Sequence, residues 1–87
     1  MNHQELENFF LAAVDLSKKK NHDYGSDGLI EFGQTGCLIR LYDKVHRLKN
    51  LLNRELVPSV NESIQDTCTD ICNYAAYIAL WAKLFED

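Results

Sequence analysis

Glu62, Asp66 and Asp70 recur at every fourth position in the stretch ESIQDTCTDICNYAAYIALW, which runs from Glu62 to Trp81. On a helix this spacing sets three like charges on one stripe, at a cost of roughly 0.2–0.5 kcal/mol per neighbouring pair. Something must offset that repulsion if the helix forms: a bound metal, a row of cations on a neighbouring element, or plain hydration. Asn73 and Tyr77 continue the stripe, with Trp81 and Leu84 beyond them. Earlier in the chain Arg40, Lys44 and Arg47 recur at the spacing of one helix flank. Together these residue types suit a phosphorylated ligand. Arg and Lys bind phosphate oxygens, an aromatic ring can stack on a base, and an asparagine amide offers both a donor and an acceptor. Mg²⁺ held by one or two carboxylates of the acidic row could bridge to the phosphates. The bland alternative is that Arg40, Lys44 and Arg47 pair with Glu62, Asp66 and Asp70, each exposed pair contributing about 0–1 kcal/mol.

The elements that must position these residues are helical. Asn2 is placed to cap a first helix, with Glu5 three residues on; Leu6, Phe9, Phe10, Ala13 and Leu16 follow the helical period. Lys18, Lys19 and Lys20 then fall in a last turn, where cations suit the helix dipole, and the helix should stop near Asn21. All four glycines lie between Asn21 and Gly36, which reads as a long loop over 21–35. Long loops in small domains are often functional, so Lys20, Asp23 and Tyr24 at its start are expected to close over the site. A second helix is expected over about 36–53, capped by Thr35, with Leu38, Leu41, Val45, Leu48 and Leu52 forming its apolar stripe. Pro58 marks a turn, and Ser59 to Glu62 reads as a capping box opening a third helix over about 59–85. Its core stripe is Ile64, Cys68, Ile71, Ala75, Ile78, Ala82 and Phe85. The C-terminal half of that helix is apolar nearly all round, and such a helix needs partners on two sides. Trp81 therefore reads as buried or interfacial, while Tyr24, off any apolar stripe, is open to a contact role.

The fold class expected is all-α: a single domain over 1–87, built as helix, long loop and helical hairpin, assembling into an oligomeric bundle. At 87 residues one core is only marginally stabilising, and association into a homodimer or higher homo-oligomer is the usual remedy. The net charge of −4 argues against duplex nucleic acid as a partner. The residues after Met1 are polar and acidic, so no secretory signal is expected, and the longest apolar stretch is too short to span a bilayer. Cys37, Cys68 and Cys72 lack metal-type spacing and read as reduced small hydrophobes, which points to the cytoplasm. His46 has no nucleophile or orienting partner in sequence, so nucleophilic catalysis is not expected.

Three blocks taken together resemble a known family. KKKNHDYG (Lys18–Gly25), GCLIRLYDKVHRLKNLL (Gly36–Leu52) and ESIQDTCTDICNYA (Glu62–Ala75) are similar to the phage-enriched nucleotide-modification-associated domain of the first type. The patterns K-N-x-D-Y-G, R-L-x-D-K-x-x-R-L and E-S-I-x-D-T-x-x-D single out Asp23, Tyr24, Gly25, Arg40, Asp43, Lys44, Arg47, Glu62, Asp66, Asp70 and Asn73. More distantly, the helical layout is similar to the MazG-like all-α nucleoside triphosphate pyrophosphohydrolases. Those hold Mg²⁺ with a paired glutamate motif on one helix and an E-x-x-D motif on the next. This chain departs from that pattern, with Asp43 alone on the second helix and E-x-x-x-D-x-x-x-D on the third. The resemblance adds Asp43 to Glu62, Asp66 and Asp70 as metal-ligand candidates.

The reading reached from sequence is a small phage-type protein that binds or sequesters a phosphorylated nucleotide between helices, the ligand being a modified or cyclic nucleotide if the phage setting holds. Lys20, Asp23, Tyr24, Arg40, Lys44, Arg47, Asn73 and Tyr77 are the ligand residues, and the location would be the host cytoplasm. The alternatives are an Mg²⁺-dependent pyrophosphohydrolase and a non-catalytic helical interaction module.

Overall fold

The computed structural model describes the backbone of residues 1–24 and 27–84, and the side chains of residues 1–22 and 29–84. Among the described residues every regular element is a helix: α1 (His3–Tyr24), α2 (Asp27–Leu52), α3 (Pro58–Ala79) and the single turn α4 (Trp81–Leu84). Helix α1 begins as its sequence indicates, the Asn2 carboxamide oxygen accepting from the backbone N–H groups of Gln4 and Glu5 at 3.1 and 3.2 Å.

The segment expected as a long loop is mostly helical. Helix α1 runs on to Tyr24 and α2 already starts at Asp27. The Leu-Ile-Glu-Phe run at 29–32 has ample helix propensity, and it overrides the glycines on either side. Among the described residues of the segment, the backbone leaves helical geometry inside α2 at Gly33, whose φ of 70° and ψ of −179° lie where side-chain-bearing residues are strongly disfavoured. Gly36 has a different purpose. A Cβ there would stand 2.7 Å from that of Phe32, so the kink brings the chain too close for any side chain.

Helix α3 starts one residue earlier than the capping-box reading places it. Val57 is the extended N-cap, with no side-chain capping bond, and Pro58 occupies the first turn, where its missing N–H costs nothing. Ser59 and Glu62 therefore do not form the cap. The helix also stops sooner: Leu80 leaves helical geometry (φ −105°, ψ 11°) while its N–H still reaches the Ala76 carbonyl at 2.9 Å. Phe85 lies outside the described residues.

Helices α2 and α3 are the main packed pair. Gln34 Nε2 donates to the Ile78 carbonyl at 2.9 Å near one end, Lys44 meets Asp70 in the middle, and Arg47 and Leu51 come beside Ser63 at the other end. The pairing is thus antiparallel, as a five-residue connection over 53–57 requires. The side of α2 turned to α3 carries Cys37, Leu41, Lys44, Leu48 and Leu51. Of the stripe expected from sequence, Leu41 and Leu48 are half-buried, but Leu38, Val45 and Leu52 are exposed. Similarly, Ala75 and Ala82, expected in the α3 core stripe, are exposed.

Among the described residues, the side chains buried outright are small or medium: Ala13, Cys37, Leu51 and Thr67, the last donating to the Ser63 carbonyl at 2.7 Å. All three cysteines are free thiols, and burial pushes those of Cys37 and Cys72 up from the ordinary range. The shape is elongated, 44 × 28 × 24 Å, with a radius of gyration of 14.1 Å against about 12 Å for a compact chain of this length. No helix among the described residues is long and apolar enough to cross a membrane.

Candidate functional site

The polar stripe of α3 divides into three parts with different surroundings. Its middle, Asp70, is the junction of the fold. One carboxylate oxygen takes Lys20 Nζ from α1 at 3.0 Å and the other takes Lys44 Nζ from α2 at 3.1 Å. Burial alone drives the Asp70 carboxyl up, but the hydrogen bonds and charges of the two lysines outweigh it and hold it below its ordinary value. For Lys20, burial acts downward, and the hydrogen bond and charge of Asp70 reverse the balance, so its ammonium is held above the ordinary value. Asp70 thus ties three helices together with both oxygens occupied.

The C-terminal part of the stripe also faces α1. Asn73 Nδ2 donates to the Ala13 carbonyl at 3.0 Å, and the Tyr77 hydroxyl shares a hydrogen bond with Ser17 Oγ. The Tyr77 ring stands edge-on to Tyr74, at 6.1 Å between centroids. These residues dock α1 against α3, and their polar atoms are directed at a helix.

The N-terminal part, Glu62 and Asp66, is exposed and forms no ion pair among the described residues. The expected pairing of Arg40 with the acidic row does not occur either. Arg40 lies over the Phe32 ring, 5.1 Å from its centroid, because the kink at Gly33 carries Phe32 back to it. Among the described residues, no three of His, Cys, Asp and Glu gather where they could hold a metal ion. The side chains of Asp23 and Tyr24 lie outside the described residues.

A cleft opens where α2 ends and α3 begins. It encloses about 320 Å³ and is lined by Asp43, His46, Arg47, Asn50, Leu51, Arg54 and Ser63. Two turns of α2 supply most of it: Asp43, Arg47 and Leu51 are spaced by four residues, as are His46 and Asn50. Arg54 arrives from the connection, where its N–H bonds to the Leu51 carbonyl at 3.1 Å and so turns the chain back over the cleft. Ser63 contributes from the second turn of α3. Neither guanidinium is in an ion pair with a described residue. A volume near 300 Å³ is the lower end of what small ligands occupy. Two guanidiniums, an imidazole, an amide and a hydroxyl over one leucine floor are equipped to bind an anionic group and a flat ring beside it.

Of the residues anticipated from sequence, the fold brings Arg47 and Asp43 into this cleft and gathers Lys20, Lys44 and Asp70 into the junction. His46, Asn50, Arg54 and Ser63 were not anticipated. The four-residue spacing of His46 and Asn50 beside Arg47 was readable, whereas the return of Arg54 depends on the turn geometry.

Comparison with protein families matches residues 20–81 to the family described as nucleotide modification associated domain 1. No curated protein and no solved structure matches the chain.

Proposed function

This chain belongs to the nucleotide modification associated domain 1 family, and from that premise we propose that it binds a phosphorylated nucleotide in the cleft at the α2–α3 turn. Arg47 and Arg54 take the phosphate oxygens, Asn50 and Ser63 add neutral hydrogen bonds, and the imidazole of His46 with Leu51 receives the base or sugar. The observation that supports this reading is the pair of guanidiniums, without carboxylate partners among the described residues, converging on one cleft of ligand size. Asp43, in the same wall, discriminates among ligands by opposing a second phosphate placed near it and accepting from a sugar hydroxyl or base amine.

The role is retention of the nucleotide, without turnover. Phosphoryl hydrolysis of the MazG-like kind relies on carboxylates gathered around Mg²⁺, and here Asp70 is committed to two lysines while Glu62 and Asp66 point to solvent. Of the acidic row Asp70 is thus architectural, with Lys44 joining α2 and α3, the helices that frame the cleft, and Lys20, Asn73 and Tyr77 docking α1 onto α3.

Isothermal calorimetry with a panel of nucleoside mono-, di- and triphosphates, modified deoxynucleotides and cyclic nucleotides tests the proposal, each with and without Mg²⁺. Saturable binding of at least one class, without pyrophosphate release, is the expected result. Absence of heat for every member at about 100 µM protein overturns it, and Mg²⁺-dependent release of pyrophosphate replaces it with the enzymatic alternative.

A further inference from the structure

Helix α2 carries two apolar seams of the same spacing. Cys37, Leu41, Lys44, Leu48 and Leu51 follow a 4-3-4-3 rhythm and face α3. Shifted by one residue, Leu38, Tyr42, Val45, Lys49 and Leu52 follow the same rhythm about 100° round the helix. That is the repeat by which one helix seats along another. The first seam is occupied. The second faces outward, with Leu38 53% exposed, Tyr42 75%, Val45 50% and Leu52 63%.

The whole molecule shows the same deficit. Its accessible surface is 6836 Å², whereas a compact monomer of 10.0 kDa exposes about 5,200 Å². The excess, about 1,600 Å² per chain, exceeds the roughly 800 Å² each partner buries in a stable protein–protein interface. That excess counts polar and apolar atoms over the whole elongated chain, and the second seam, with four apolar side chains each at least half exposed, is a part of it that lies in one row.

We infer that the second seam is covered by α2 of another copy of this chain, packed antiparallel about a twofold axis at Val45. The seam is self-complementary in that register. Val45 meets Val45 of the partner subunit, Leu38 lies along Leu52 of the partner subunit, and Tyr42 lies along Lys49 of the partner subunit. Lys49 is the seam's single charge, and the antiparallel register sets it against an aromatic ring. A parallel, in-register pair would set the two lysines against each other in an apolar contact. The symmetry makes both halves of the contact the same. Arg47 stands about half a turn of α2 from this seam, so the cleft stays open in the dimer and association is separable from ligand binding.

The test is the mass of the full chain by sedimentation velocity and native mass spectrometry, joined to cysteine cross-linking. A dimer of about 20 kDa, twice the 10.0 kDa chain, or an even multiple of it, is expected. Val45→Arg places two like charges at the axis and should weaken association about a hundredfold or more, with helicity by circular dichroism unchanged. Should that variant lose helicity, Tyr42→Lys supplies the same opposition against Lys49 at a side chain outside the core. Under mild oxidation Val45→Cys should cross-link to itself, while Leu38→Cys should cross-link to Leu52→Cys when the two are mixed. A monomeric wild type at about 100 µM, a dimer indifferent to both charge variants, or preferential Leu38→Cys self-linkage overturns the proposal.

Discussion

Replacing Asp70 with asparagine tests the junction at its centre. The side chain keeps its shape but loses the charge that binds Lys20 Nζ at 3.0 Å and Lys44 Nζ at 3.1 Å. The two contacts are unequal. The Lys20 side chain is 48% exposed, so its pair sits near the surface range of about 0.2–1 kcal/mol. The Lys44 side chain is 34% exposed against an Asp70 that is only 15% exposed, and a charge-assisted bond there contributes about 1 kcal/mol. The sum is about 1.5 kcal/mol, or about 6–12 °C in melting temperature for a domain of this size. The pH dependence carries the signature. Because the folded chain holds the Asp70 carboxyl below its ordinary value, its contribution is complete above the unfolded carboxylate range near pH ~4 and is lost as pH falls through the lower folded value. Lys20 is held above its ordinary value, so its share is complete below about pH 10 and disappears as pH rises through the folded value. Thermal melts of wild type and Asp70→Asn from acid to alkaline pH should therefore differ by a plateau that closes in acid and narrows in alkali as the Lys20 share is lost. A difference under about 0.3 kcal/mol at neutral pH, or one that persists unchanged into strong acid, would refute the reasoning.

Gly33→Ala should destabilise by about 1–3 kcal/mol, read from urea denaturation, because φ of 70° with ψ near 180° disfavours a side chain though open space surrounds it. Gly36→Ala should be destabilising for the opposite reason, a collision with Phe32, and should also disturb Arg40 where it lies over that ring, visible as altered Arg side-chain NMR signals. Asn73→Ala removes the bond to the Ala13 carbonyl and should cost about 1–2 kcal/mol while raising hydrogen exchange in α1 more than in α2.

The all-helical class was legible because apolar residues recur at helical spacing throughout, and the Asn2 cap was legible because an N-cap is a local device. The stretch 21–35 was misread for a physical reason. Glycines at 28, 33 and 36 look alike in sequence, but of these only Gly33 leaves helical geometry, and the close approach of Gly36 to Phe32 across that kink is invisible in a string. The apolar side of α2 was read as one stripe where there are two, since a seam for α3 and a seam left outward differ by one residue of phase. For the site, charge type was readable and partner was not. The sequence shows three cations on one flank of α2 and three acids on α3, but of those cations only Lys44 meets an acid, Asp70, whose other oxygen takes Lys20 from a third helix, while Arg40 lies over Phe32. Arg47 was anticipated as a phosphate ligand, and the turn that adds Arg54 could be seen only once the hairpin was built.

The central claim is that the phosphate-binding groups lie at the α2–α3 turn and not at the acidic junction. NMR titration of the ¹⁵N-labelled chain with a nucleoside monophosphate tests it directly, with the guanidinium Nε–H signals followed beside the backbone amides. The account predicts shifts concentrated at His46, Arg47, Asn50, Arg54 and Ser63, with the affinity lowered about tenfold or more in Arg47→Met. Shifts centred on Lys20, Asp70 and Tyr77, or no response at Arg47 and Arg54, would contradict it.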